Sequence, residues 1–143
     1  MADRGATDSS PYDPAAHGWA LLPAHGFSSL VGPMWTRQTE SGRRLGFVAE
    51  ARHENSQGAV HGGMLMTFAD HAIGLGAWEA AGRRPCVTMQ LDTQFVAAVR
   101  RGDFVECRPH LIRLGRSVIF MRADMTVSDR CVLTANGIWK IIG

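Results

Sequence analysis

Between Ala59 and Ala81 the chain reads AVHGGMLMTFADHAIGLGAWEAA, an almost unbroken run of apolar and small residues. On a helix, Met64, Leu65, Phe68, Ala72, Ile73, Leu75 and Ala77 cover most of the circumference, which is more than one amphipathic stripe. Such a helix needs cover on several sides at once, and a sheet that curls around it supplies that cover. The run is long enough to tempt a membrane reading, but Asp70, His71, Glu79 and several glycines are unfavourable against lipid. The segment therefore reads as a buried helix of about five turns that ends near Gly82.

The flanking sequence is strand-like. MWTRQT and RRLGFVAEAR lie on either side of Ser41-Gly42, a hairpin turn, and Leu45, Phe47, Ala49 and Ala51 alternate along the second piece. Beyond the helix the period changes to two. In CVTMQLDTQFV, alternation places Val87, Met89, Leu91 and Phe95 on one face and Thr88, Gln90, Asp92 and Gln94 on the other. FVECRPHLI is a weaker strand in which Pro109 marks an edge or a bulge. SVIFMRADMTV and CVLTANGIWKII complete the set, with turns at Gly115 and at residues 128–130. The expected class is α+β, an antiparallel sheet wrapped around one long helix. Residues 1–26, polar and Pro-punctuated, read as a flexible leader, and residues 27–143 as one domain.

Charge and cysteine usage narrow the function. A formal net charge of +2, with no basic run, does not suit nucleic acid. Cys86, Cys107 and Cys131 are odd in number and form no CxxC pair, which fits buried thiols in a reducing compartment. With no signal peptide apparent in MADRGATDSSPYDP, a cytoplasmic protein without membrane association is expected.

Chemistry concentrates at the start of the helix. Paired glycines at Gly62 and Gly63 let another group approach the backbone, and free N–H groups there favour an anion or a polarised carbonyl oxygen. An oxyanion hole needs such donors, although close helix-to-sheet packing also uses glycine. Asp70, about two turns further on, is a carboxylate in apolar surroundings. It must be hydrogen bonded, neutralised or at a cleft, and a general base or nucleophile meets that description as well as a structural acid does. His61 can be a base, an orienting group or a helix cap. Asn55 can be a turn residue, and Thr88 an ordinary strand threonine. His53, His61, His71 and His110 have no convincing metal-ligand spacing.

Distance adds a constraint. Gly62 and Asp70 are eight residues apart, roughly 12 Å along one helix. A donor and a base that act on one carbonyl carbon each lie within roughly 3–3.5 Å of the reacting atoms. A working site therefore requires two antiparallel copies, with Gly62 of one beside Asp70 of the other.

The order Asn55, His61-Gly62-Gly63, Asp70, and then a strand with Thr88, resembles the hotdog-fold thioesterase superfamily in its phenylacetyl-CoA thioesterase-like branch. The resemblance runs from about Phe27 through LVGPMW, RLGRS and ANGIWKII. It implies hydrolysis of a small aryl or short- to medium-chain acyl-CoA. Asp70 would be general base or nucleophile, and the Gly62 N–H the oxyanion donor. His61 and Asn55 would shape that end of the site, and Thr88 would hold the water or the carboxylate. Apart from the resemblance, Gly63 is a candidate substrate contact, and Arg113 and Arg116, which flank Gly115 in a turn, either meet the CoA phosphates or are solvated turn charge. The resemblance also implies dimers, often paired into tetramers, and no metal or bound cofactor beyond the CoA of the substrate. MQLDTQFVAAVRRG departs from the family in lacking a proline after the strand's aromatic, which bears on substrate choice. Two other readings share the fold. One is a non-catalytic acyl-CoA-binding or regulatory domain, against which Asp70 counts. The other is an enoyl-CoA hydratase, which would need an acid and a base on one segment. Adjacent Asp70 and His71 do not resemble that, since neighbours on a helix face different ways.

Overall fold

The computed structural model describes residues 11–143. Seven strands form one antiparallel sheet: β1 (Ala20–Leu21), β2 (Trp35–Thr39), β3 (Gly42–Val48), β4 (Cys86–Phe95), β5 (Phe104–Leu114), β6 (Val118–Val127) and β7 (Arg130–Ile141). Their order across the sheet is β1-β2-β3-β5-β6-β7-β4, so β4 closes one edge, with β7 as its only neighbour among the described residues. A short helix α1 (Phe27–Val31) precedes β2, and α2 (Gly62–Ala80) is the long central helix. No helix is long and apolar enough to cross a membrane among the described residues.

The expected architecture is present, and α2 lies in the concave face of the sheet. Met64, Leu65, Phe68, Ala69, Ala72, Ile73 and Ala77 are buried against Phe47, Val105, Met121, Leu133 and Trp139 of the strands. Each large side chain enclosed in this way contributes roughly 1.5–3 kcal/mol. The two glycines in the second half of α2 are explained by this packing. A Cβ on Gly76 would lie 2.6 Å from Cβ of Pro109, and one on Gly74 would lie 3.3 Å from the Trp139 indole nitrogen. The cover is not complete. Gly63, Met66, Thr67, Asp70 and Gly74 follow one another at helical spacing along a stripe that the sheet leaves partly open.

Three expectations change in the structure. Alternation along β4 does not hold throughout, because the register with β7 shifts between Thr88 and Gln90 and leaves Met89 as an extra, bulged residue. Thr88 pairs with Trp139 and Leu91 with Gly137, so Thr88 shares the inner face with Leu91 and Phe95. Val87 and Met89, expected to share a face with Leu91, are 45% and 59% exposed.

Pro109 is on an internal strand. It falls two residues past Cys107, where pairing of β5 with β3 ends, and the bulge comes later, between Leu111 and Arg113. A residue without an N–H is tolerated where the neighbouring strand has peeled away.

Residues 11–26, the described part of the expected leader, are packed on the sheet. Tyr12 stacks on Phe104 at 4.7 Å, Trp19 meets the same ring edge-on at 4.9 Å, and Ala20–Leu21 pair with β2. Gly46 makes room for this cluster, since a Cβ there would fall 2.3 Å from the Phe104 ring.

Candidate active site

The start of α2 is organised by one imidazole. His61 is the N-cap, and its Nδ1 accepts the Gly63 N–H at 2.8 Å. Accepting at Nδ1 puts the proton of the neutral ring on Nε2, which makes that nitrogen an outward-facing donor. The His61 carbonyl takes the N–H groups of Met64 and Leu65. Of the first four amides of the helix, only that of Gly62 has no acceptor among the described residues. Gly63, expected as a substrate contact, spends its amide on the cap, and its lack of a Cβ is what admits the imidazole, 2.9 Å from where that carbon would be.

Asn55 shapes the approach to this turn. Its side-chain oxygen accepts the N–H groups of Gln57 and Ala59, at 2.9 and 3.2 Å, and its backbone N–H reaches the Ala59 carbonyl. These bonds close the loop that delivers His61, so Asn55 acts as the turn residue that its neighbourhood suggests.

Asp70 projects from the open stripe of α2, half-buried, and accepts the Thr88 hydroxyl at 2.6 Å. That length is in the range of a charge-assisted O–H···O bond. The bulge at Met89 is what turns Thr88 toward the helix, so a break in strand periodicity builds this contact. Asp70 borders a cavity of about 620 Å³, whose walls include Met66 and Thr67 of α2, Leu91 of β4, Met34, and Phe27 of α1. Gly62 borders a different hollow of about 360 Å³ with Leu65, Phe95 and Val99. Within one chain, the donor and the carboxylate are thus in separate cavities.

The structure also brings in residues that the motif reading passed over. His71 lines the Asp70 cavity, contrary to the expectation that helix neighbours must face apart, because the cavity is wide enough to take in both side chains. Burial lowers the His71 pKa, outweighing the attraction of Asp70. Pro23, His25, Phe27 and Ser28 line it too. The adjacency of Asp70 and His71 was the only sign of this in the sequence, and nothing local announces the role of residues 23–28.

Arg113 and Arg116 are exposed at the β5–β6 turn. Among the described residues no three His, Cys, Asp or Glu side chains cluster as metal ligands. The Cys107 thiol is buried, which pushes its pKa up to about 12, so it has no nucleophilic part near neutrality.

The chain as a whole is similar to known proteins. The model of the thioesterase superfamily matches residues 57–133, a span that takes in the His61 turn, Asp70 and Thr88. An inferred esterase of Pseudomonas aeruginosa is 33% identical over 117 residues, covering 78% of this chain and 85% of that protein. Human acyl-coenzyme A thioesterase 13 is 21% identical over 119 residues, covering 82% and 85%. The PaaI protein from the phenylacetic acid degradation operon of E. coli shares the fold, with a TM-score of 0.70 at 18% identity over 81% of this chain and 83% of its own.

Proposed function

The chain belongs to the thioesterase superfamily and is a thioester hydrolase; from that premise we propose that it cleaves a small aryl or short- to medium-chain acyl-CoA into free acid and CoA, with Asp70 as general base or nucleophile. The observation that carries this reading is the Asp70 carboxylate, fixed by the Thr88 hydroxyl at the wall of a largely apolar cavity. Such a cavity suits an acyl group, and the carboxylate suits attack on its carbonyl, directly or through water. The free Gly62 N–H, at the positive end of α2, is the donor for the oxygen that becomes negative. His61 holds that turn in shape and Asn55 holds the loop before it.

Because Gly62 and Asp70 border different cavities, the reading includes a second copy of the chain, as a dimer or a dimer of dimers. The open edge of β4 supports it, with Val87 and Met89 exposed beside unpaired backbone. The choice of CoA as carrier rests on likeness to the human acyl-CoA thioesterase and on the two arginines at the β5–β6 turn. The three free cysteines suit the cytoplasm.

The test is hydrolysis of a panel of acyl-CoA esters, followed by release of the free thiol. Asp70→Asn should retain the fold and lose on the order of 10²–10⁴-fold in turnover. Near-normal turnover by a folded Asp70→Asn or Asp70→Ala protein on its best substrate would refute the mechanism.

A further inference from the structure

His53 is the one polar or charged side chain buried among the described residues, and it lies outside the linings of both cavities. Its partners settle where the ring proton sits. Nδ1 faces the Glu50 N–H at 3.0 Å, a group that can only donate. Nε2 faces the Val31 carbonyl at 2.7 Å, which can only accept. Nδ1 therefore carries the lone pair and Nε2 the proton, and both nitrogens are engaged. Phe47 packs edge-on against the ring at 5.4 Å and meets Phe68 of α2 in turn. The two bonds differ in reach. The one to Glu50 is local to the turn at Ala51–His53, whereas the one to Val31 crosses 22 residues to the end of α1.

The same residue carries the base of the loop that leads into α2. The His53 carbonyl accepts the His61 N–H at 2.7 Å, and a bridge between Glu54 and Val60 follows it. His61 caps α2, and the next amide, that of Gly62, has no acceptor among the described residues. Resting on the reading of that amide as the oxyanion donor, we propose that His53 is a positioning residue, whose bond to Val31 fixes the base of the 53–61 loop and so the aim of the Gly62 N–H. Ring and carbonyl belong to one residue, so a displacement of the ring moves the root of the loop. A donor works only where the oxygen becomes negative, and a shift on the order of 1 Å lowers the rate while the fold persists.

Two near-isosteres separate the bonds. The Asn amide oxygen falls where Nδ1 is, and the Gln amide nitrogen where Nε2 is. His53→Asn thus keeps the Glu50 bond, and His53→Gln keeps the Val31 bond. The experiment measures kcat and KM on the best acyl-CoA, thermal unfolding, and hydrogen exchange of the peptide spanning residues 53–63 by mass spectrometry. His53→Asn should lower kcat about tenfold or more at little-changed KM and speed exchange in that peptide. His53→Gln should recover most of both. Should His53→Asn not fold, His53→Met, which matches Gln in length and lacks the donor, takes its place with the same expected result. A side chain that merely fills the core predicts equal losses in the Asn and Gln variants, in step with the unfolding temperature, and that result overturns the proposal. Wild-type kcat and wild-type exchange in the folded variant overturn it too, and leave the Gly62 reading intact. Faster exchange at an unchanged kcat removes Gly62 as the donor, and this inference with it.

Discussion

At the scale of single residues, the Thr88 hydroxyl and the Asp70 carboxylate form a pair whose value depends on orientation. A carboxylate on the open stripe of α2 has rotamer freedom, and the 2.6 Å bond from Thr88 selects one arrangement. Thr88→Val keeps the shape of the side chain and removes the donor. A hydrogen bond to a charged group is worth about 1.5–3 kcal/mol, so turnover should fall about 10- to 100-fold if the bond persists in the transition state. Thr88→Ser should recover most of it. Steady-state kinetics on the best thioester checks this, and a Thr88→Val enzyme with unchanged kcat would show that Asp70 needs no such support. His61 is a different case. Its Nδ1 is committed to the Gly63 amide, so its influence on the reaction passes through the shape of the turn and through its remaining N–H.

At the scale of elements, the sheet register connects the proposed chemical centre to the proposed phosphate contacts. Thr88 pairs with Trp139, Trp139 with Ile119, and Ile119 with Leu114, one row across four strands. Three strand spacings make about 14 Å from Thr88 to the β5–β6 turn that carries Arg113 and Arg116. The extended CoA molecule can cover such a span from its thioester toward its phosphates. Exposed guanidinium groups that meet phosphate should act on binding and leave the chemical step alone. The Arg113→Ala/Arg116→Ala double variant should therefore raise the KM for acyl-CoA about tenfold or more, an effect weakened by salt, while the N-acetylcysteamine ester of the same acid shows no such rise. An unaltered KM for acyl-CoA would remove both arginines from the site.

For the whole molecule, the proposed pairing of the Gly62 donor with the Asp70 carboxylate would make a single chain an incomplete catalyst. Neither movement of one side chain nor a change of rotamer covers roughly 12 Å along a rigid helix. A two-fold axis that sets two copies of α2 antiparallel brings unlike ends together. In this arrangement Asp70→Ala and Gly62→Val chains, each inactive alone, complement each other. A mixed dimer contains one site with both lesions and one site with neither. Activity should return on subunit exchange to about half of wild type per mixed dimer. Gly62→Val suits the purpose, because a Cβ there already meets the Phe95 ring at 3.3 Å. Demonstrably mixed dimers that stay inactive would refute the shared site.

The helix, the sheet that wraps it and the turns at Ser41-Gly42, Gly115 and residues 128–130 could be read from the amino-acid sequence, because apolar periodicity reports which side of an element faces the core. The order of Asn55, His61-Gly62-Gly63, Asp70 and Thr88 pointed to the family by itself. Other features depended on tertiary structure. Strict alternation sends Thr88 to the wrong face of β4. The bulge at Met89 that corrects it comes from pairing with β7, a partner more than forty residues away along the chain. Residues 11–26 look like an unattached leader until Phe104 and Gly46 offer an aromatic surface for Tyr12 and Trp19. The Gly63 amide reads as free until the imidazole of His61 folds back onto it. His71 reads as turned away from Asp70 until α1 and the segment before it enclose a cavity broad enough for both. Local sequence determines which elements form, since backbone periodicity is a short-range property. Which side chains meet depends on registers and cavity widths, and only the assembled chain sets those.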